Sequence, residues 1–207
     1  MKLKNALLAL SATALLGSAA FAQIENFQPV TDDVVANPAD GDWLMWRRTL
    51  NSWGYSPLDQ ITPENVNDLQ LVWSRAMQAG FNEATPVVYD GVMFLPHPNG
   101  VIQALDPTNG DVIWEYRRDL PSDLSEIVGL SDITRNLALY EDKLYYSSND
   151  GFMVAIDAAT GQVAWETQVY DFRENPTRQT SGPIVANGKV FAGRSCDGSA
   201  GPEACFL

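Results

Sequence analysis

The sequence predicts an all-β fold, a β-propeller of four-stranded blades, present as an open fragment of about 2.5–3 blades. Three observations predict it. First, Ala155-Ile156-Asp157-Ala158-Ala159-Thr160-Gly161-Gln162-Val163-Ala164-Trp165 has an earlier copy, Ala104-Leu105-Asp106-Pro107-Thr108-Asn109-Gly110-Asp111-Val112-Ile113-Trp114, 51 residues before it. Second, each copy reads strand, tight turn, strand: Asp with Thr or Asn supplies side-chain oxygens to the turn, and Gly the positive φ. Third, a second type of hairpin precedes each copy. A hairpin repeat at a period of about 40–50 residues marks a propeller or a similar array.

The first 22 residues read as a cleavable signal peptide. Lys2 and Lys4 form a basic start, residues 6–16 are mostly apolar, and Ala20-Phe21-Ala22 is a small-x-small cleavage site. This predicts export to an oxidising compartment, the periplasm of a Gram-negative cell. There is no Cys near the cleavage point, so a lipid anchor is not expected. No other apolar run approaches the ~20 residues that span a bilayer. Net charge is −13 for the whole chain and −15 without Lys2 and Lys4. That acidity argues against nucleic acid, which needs a basic footprint. It permits docking to a basic partner, although acidity also serves solubility alone.

Residues 23–40, with Pro29 and Pro38, read as an extended lead-in. Residues 41–207 form the propeller part. They open on a Trp-dense block, Asp42-Trp43-Leu44-Met45-Trp46 and Asn51-Ser52-Trp53-Gly54-Tyr55-Ser56-Pro57-Leu58. Thr62 then caps a helical turn with Pro63 at its first position. Residues 69–74, ending in Leu71-Val72-Trp73, read as a strand.

The repeat becomes clear from Thr85. Strand 86–89, turn Asp90-Gly91 and strand 92–95 precede the hairpin at 104–114. The order recurs with strand 137–140, turn Glu141-Asp142, strand 143–146 and the hairpin at 155–165. A third copy starts at Pro183-Ile184-Val185, turns at Asn187-Gly188 and returns through Lys189-Val190-Phe191. The sequence reaches Leu207 where a second hairpin of this copy is expected, and an open propeller leaves a strand edge exposed. The expectation is a fragment of a longer protein, or a defective product. The spacer 117–136 is long enough for a loop on one face, where function concentrates.

Cys196 and Cys205 flank Gly198, Ser199, Gly201 and Pro202. In an oxidising compartment such a pair closes a disulfide; two free thiols in a hairpin are the alternative. Zinc needs more ligands than two Cys supply. His97, the sole His, sits between Pro96 and Pro98 with no partner visible and is assigned no role.

These residues resemble a known family, the pyrroloquinoline quinone (PQQ)-dependent alcohol and methanol dehydrogenases. Asp42-Trp43, then Tyr55-Ser56-Pro57-Leu58-Asp59-Gln60-Ile61, Asn65-Val66, Leu69 and Trp73 look like its opening signature. The Ala-x-Asp-x-x-Thr-Gly-x-x-x-Trp hairpins look like its tryptophan-docking repeats. The resemblance covers about residues 40–207 and implies an eight-bladed propeller that holds the quinone at its centre.

It also implies site residues. Glu83 matches the glutamate that hydrogen-bonds the quinone; otherwise it is a solvated loop acid. Arg135 matches the arginine near the reactive carbonyls. Its planar, permanently charged fork suits a quinone oxygen or a carboxylate, and a surface salt bridge is the alternative. Thr180 matches a cofactor-binding threonine, and Ser195 falls where a small polar contact is expected; either is otherwise an ordinary strand-end hydroxyl. The metal, Ca²⁺ or a lanthanide, is assigned to Glu203, with Asp197 competing.

The sequence departs from the family at Val128-Gly129-Leu130-Ser131, where many members carry vicinal cysteines. Either this branch lacks the device, or Cys196–Cys205 takes a related part. The implied reaction is oxidation of a small alcohol by hydride transfer to the quinone, with electrons leaving to a cytochrome c or similar acceptor. The family's catalytic aspartate, other metal ligands and Trp floor lie later in its chains, so no catalytic residue is assigned here. The 207-residue chain alone is expected to be inactive and to bind quinone poorly. The rival from another class is a non-enzymatic scaffold of the outer-membrane-assembly propeller type. Convergence of Glu83, Arg135 and Thr180 on one axis separates the enzyme from it.

Overall fold

The computed structural model describes residues 23–195. The leader 1–22, the Cys196–Cys205 pair, Asp197 and Glu203 therefore lie outside the described residues.

Strands β1 (Val87–Tyr89), β2 (Val92–His97), β3 (Val101–Leu105) and β4 (Val112–Arg117) form one antiparallel sheet in sequence order. Strands β5 (Ala138–Tyr140), β6 (Lys143–Ser147), β7 (Phe152–Asp157) and β8 (Val163–Gln168) form a second in the same order. Strands β9 (Ile184–Ala186) and β10 (Lys189–Phe191) make a third, two-stranded sheet. These are the predicted four-stranded blades and the first hairpin of the next.

The turns follow from their residues. Asp90-Gly91 and Asn187-Gly188 hold positive φ at both positions, as two-residue hairpins require. Asp106 Oδ1 accepts from the Thr108 amide (2.8 Å) and hydroxyl (2.6 Å), and Asp157 Oδ1 accepts from the same groups of Thr160 (2.8 and 2.7 Å). Gly110 and Gly161 then donate their N–H to the Asp carbonyls, each at 2.8 Å. The pairs Ala104↔Trp114 and Ala155↔Trp165 are in register, and both ladders shift at the next residue.

Successive repeats are joined through the Trp. The Trp73 indole N–H donates to Pro107 O and that of Trp114 to Ala158 O, both at 2.9 Å. Trp114 is fully buried in the main core with Phe94, Ile102, Leu144, Tyr146 and Ile156. Trp165 has no such turn beside it among the described residues and is 39% exposed.

Three segments differ from expectation. Within the lead-in, helix α1 (Asp32–Ala36) is capped by Thr31 Oγ1, which accepts from the Val34 amide, and carries Asp32 and Asp33 in its first turn. Val30 bridges to Glu141 and is fully buried, so the lead-in packs on the second blade. Residues 69–74 form no ladder. Leu71 and Val72 are exposed, and only Trp73 docks, because no neighbouring strand exists for this segment among the described residues. The Thr62 side chain makes no cap; instead Asn65 Oδ1 accepts from the Thr62 amide at 2.8 Å, and a short 3-10 turn follows at Val66–Asp68.

The spacer 117–136 is ordered by helix α2 (Leu124–Ile127). Leu124 and Val128 pack there against Tyr170 and Phe172. A bidentate Arg173–Asp123 pair (2.9 and 2.8 Å) ties the spacer to the segment after β8.

Candidate functional site

Glu83, Arg135 and Thr180 each lie just ahead of the first strand of successive sheets, β1, β5 and β9. The backbone joins these entrances: the Thr85 amide donates to Arg135 O (2.9 Å), and the Arg135 amide donates to Thr180 O (3.2 Å). The side chains join as well. Arg135 Nη2 pairs with Glu83 Oε2 at 2.8 Å, and Nη1 donates to the Thr180 hydroxyl. Glu83 and Arg135 are 45% and 39% exposed. An ion pair this open contributes at most about 1 kcal/mol, so its exposed edges remain free to meet a ligand.

Close approach requires glycine at two points. A Cβ on Gly182 would stand 2.0 Å from Asn136 O, and the Gly182 amide donates to Asn136 Oδ1 (2.9 Å). A Cβ on Gly80 would meet Pro98 at 2.6 Å and Asp132 at 2.8 Å. Between these, the loop before Glu83 is pinned: Phe81 donates to Asp132 Oδ2 (3.0 Å), and Asn99 Nδ2 donates to Ala79 O (3.0 Å).

His97 belongs to this support and has the partners the sequence did not show. Its Nδ1 accepts from the Gln78 amide (3.4 Å), so the ring proton is on Nε2, which donates to Gln103 Oε1 (2.9 Å). Gln103 Nε2 donates to Glu115 Oε2 (2.6 Å). Burial pushes the His97 pKa down against the opposing Gln103 hydrogen bond, keeping the ring neutral.

Ser195 lies apart from Glu83 and Arg135. Its amide donates to Arg178 O (2.9 Å), and it shares with Thr180 a cavity of about 440 Å³. Arg178, Ser181 and Arg194 complete the polar lining and Ile184 and Phe191 the apolar lining, with no carboxylate among the described residues that line it. The Arg194 guanidinium stacks on Tyr170, 4.4 Å from the ring centroid. Sequence reasoning missed Arg178 and Arg194, since neither sits in a motif; only the fold places them beside Thr180 and Ser195. A second, mostly apolar cavity of about 300 Å³ lies between the opening block and strands β5 and β9, with Arg47 and Tyr140 as the ionisable groups of its lining.

The donor set fits a quinone bearing carboxylates: among the described residues the cavity lining holds two arginines and three hydroxyls, with Arg135 beside it through Thr180. The Gln179 side-chain amide, next to Thr180, is buried with neither its oxygen nor its nitrogen hydrogen-bonded among the described residues. Among the described residues no group of three or more His, Cys, Asp or Glu could hold a metal ion. No helix among them is long and apolar enough to cross a membrane.

Comparison with known proteins agrees with the fold. The family described as "PQQ: Glucose/ethanol/alcohol dehydrogenase, beta-propeller domain" matches residues 43–202. A 1-butanol dehydrogenase (cytochrome c) of Thauera butanivorans is 38% identical over 156 residues, which are 75% of this chain and 23% of that one. The quinohemoprotein alcohol dehydrogenase ADH-IIG of Pseudomonas putida is 35% identical, over 77% of this chain and 22% of its own. Its solved structure superposes with a TM-score of 0.74 at 34% identity, covering 81% of this chain and 25% of that one. A europium-containing methanol dehydrogenase superposes at 0.71 with 26% identity, covering 80% and 29%. The chain thus spans about a quarter of the length of these relatives. By the family match over most of its length, and by blades and repeats in the same order, the chain belongs to the PQQ-dependent glucose/ethanol/alcohol dehydrogenase β-propeller family.

Proposed function

We propose that this chain supplies the first blades of a periplasmic PQQ-dependent alcohol dehydrogenase that passes its electrons to a cytochrome c or similar acceptor. The observation that carries the reading is the meeting of Glu83, Arg135 and Thr180 at the entrances of three successive sheets. A scaffold has no need of a cation and a carboxylate presented there. The name of the Thauera relative supports the alcohol and the cytochrome.

When bound, the quinone would supply the oxidising chemistry, taking up a hydride from the alcohol carbon. Arg135 presents its remaining N–H groups to oxygens on the ligand, and its fixed charge favours negative charge developing there. Glu83 holds the guanidinium plane through Nη2, and Thr180 holds it through Nη1. Thr180 and Ser195 orient polar edges of the ligand. Arg178 and Arg194 place guanidinium groups in the cavity lining, a donor type suited to carboxylates. The Ca²⁺ or lanthanide ion is assigned to Glu203, with Asp197 as the competing ligand. The europium-containing neighbour supports a metal of this class.

The test is dye-linked alcohol oxidation by the full-length protein loaded with PQQ and Ca²⁺. Expected is activity that Arg135→Lys lowers sharply. A wild-type protein that binds no quinone overturns the reading. The 207-residue chain alone is expected to show no activity, and turnover by it would overturn the assignment of catalysis to residues outside it.

A further inference from the structure

Asn149 is bonded to both segments that carry Arg135 and Thr180. It sits in the connection between β6 and β7 and is 2% exposed. Its Nδ2 donates to Ser131 O (3.0 Å) and Ile133 O (2.9 Å). Its Oδ1 accepts from the Gln179 amide (3.2 Å). Ile133 stands two residues before Arg135, and Gln179 immediately precedes Thr180. The amide thus spans the junction that the Arg135 N–H to Thr180 O bond closes on its other side.

We infer that Asn149 is a positioning residue of the quinone seat, fixing the Arg135 guanidinium relative to the Thr180 hydroxyl. The inference rests on the reading above that these two groups hold the quinone. The chemistry of the clamp explains the residue type. Two carbonyls need two N–H donors, and one amide N–H needs an acceptor, all on a short side chain; asparagine alone supplies this. Serine brings a single donor, and a carboxylate would face two carbonyl oxygens. Blade packing as such does not call for it. In the 51-residue register Pro98 occupies the matching place of the preceding blade, and proline cannot make these bonds. The neighbouring Asp150 has a different duty, as it is bound to Arg118 at 2.8 Å. A misplaced binding group loses affinity even where the fold survives.

The experiment compares Asn149→Asp, Asn149→Ser and a control, Asp157→Ala, in the full-length protein. Asp157→Ala loosens the turn of the Trp-docking hairpin and touches neither site loop. Apoprotein is titrated with PQQ by fluorescence quenching, thermal stability is measured in parallel, and amide hydrogen exchange is followed at Arg135 and Gln179. Expected is a loss of PQQ affinity of about tenfold or more in Asn149→Asp, with faster exchange at both amides. Asp157→Ala, at comparable loss of stability, keeps affinity and exchange near wild type. Acidification that protonates the introduced carboxyl restores part of the affinity, since it regains one donor. If Asn149→Asp does not fold, Asn149→Ser decides in the same way with a smaller loss. Unchanged exchange at Arg135 and Gln179, or an affinity loss no larger than the control's, overturns the inference while leaving the quinone reading intact. A wild-type protein that binds no PQQ overturns both.

Discussion

Trp114 lies across Gly161 of the next repeat: a Cβ on that glycine would stand 2.6 Å from the indole Cε3, and the indole N–H is bonded to Ala158 O at 2.9 Å. The same relationship holds one repeat earlier, where a Cβ on Gly110 would stand 2.7 Å from Trp73. One glycine therefore does two things. It supplies the positive φ that closes its own turn, and its bare face admits the ring that joins two blades.

Gly161→Ala should cost about 3 kcal/mol, from a left-handed φ together with overpacking against a buried ring. Gly91→Ala has a similar φ of 75° but nothing within 4 Å of its Cβ, and should cost only about 1 kcal/mol. Denaturant unfolding of the two variants separates the steric part from the backbone part. Equal losses would show that the Trp–Gly contact is not tight.

The residues of this contact were legible in the sequence because they recur, but the seating of the ring on the glycine of the next repeat was not. Ala, Asp, Gly and Trp repeat in register, and the turn duties of Asp and Gly within the hairpin are evident from residue type. The blade strands and two-residue turns were legible for the same reason. Helix α1 was missed because it is short and lacks an apolar period, although Thr31-Asp32-Asp33 carried a capping signal. Residues 69–74 read as a strand because Leu71-Val72-Trp73 resembles Val112-Ile113-Trp114 of β4; yet a strand needs a hydrogen-bonding neighbour, and composition cannot show one. Glu83, Arg135 and Thr180 entered through resemblance, not local chemistry. His97, Asn149, Arg178 and Arg194 were illegible, since their partners lie up to dozens of residues away and no motif marks them.

Arg118 ties the first blade to the second. Its Nε bonds both Asp150 oxygens (3.0 and 2.9 Å), Nη2 pairs with Asp150 (2.8 Å), and Nη1 pairs with Glu166 (2.9 Å). Burial favours the neutral guanidine, but the hydrogen bonds to Asp150, Glu166 and Tyr116 outweigh it and raise its pKa further. Asp150 is 5% exposed and Glu166 45%. Asp150→Ala should therefore cost about 3–5 kcal/mol, because it strands a buried cation, whereas Glu166→Gln should cost about 1 kcal/mol or less. Replacing Arg118 by Met in the Asp150→Ala background should recover part of the loss. Unfolding free energies of these four proteins give the check, and equal costs for the two acids would refute the ranking.

His97 predicts an acid limb in stability. Its folded pKa lies below the ordinary value, chiefly through burial. Above the unfolded value, about 6.5, the ring is neutral in both states and contributes no pH dependence. As pH falls through that value toward the folded one, the unfolded chain gains the proton first, so stability declines; below the folded value the loss levels off. His97→Gln should flatten the midpoint temperature measured between about pH 7 and pH 5. A wild-type midpoint as steep as the variant's would assign the acid limb to other groups. NMR titration of the ring locates the pKa directly.

Arg135 and Glu83 predict a split between stability and binding. The pair is half exposed, so Glu83→Gln and Arg135→Lys should each change stability by about 1 kcal/mol or less. Binding should respond far more. Lysine offers a point charge on a flexible stem and cannot hold Glu83 and Thr180 while also presenting a planar donor edge. PQQ affinity of the full-length protein should fall about 10- to 100-fold in Arg135→Lys. Glu83→Gln keeps an acceptor for the guanidinium but removes the charge that aligns it, so its loss should be smaller and should shrink when Arg135 is already Lys. A double-mutant cycle measured once by denaturation and once by PQQ titration tests the split. Coupling seen only in binding means that the two side chains are held together for the ligand. Coupling of equal size in both would make the pair an ordinary cross-link between blades.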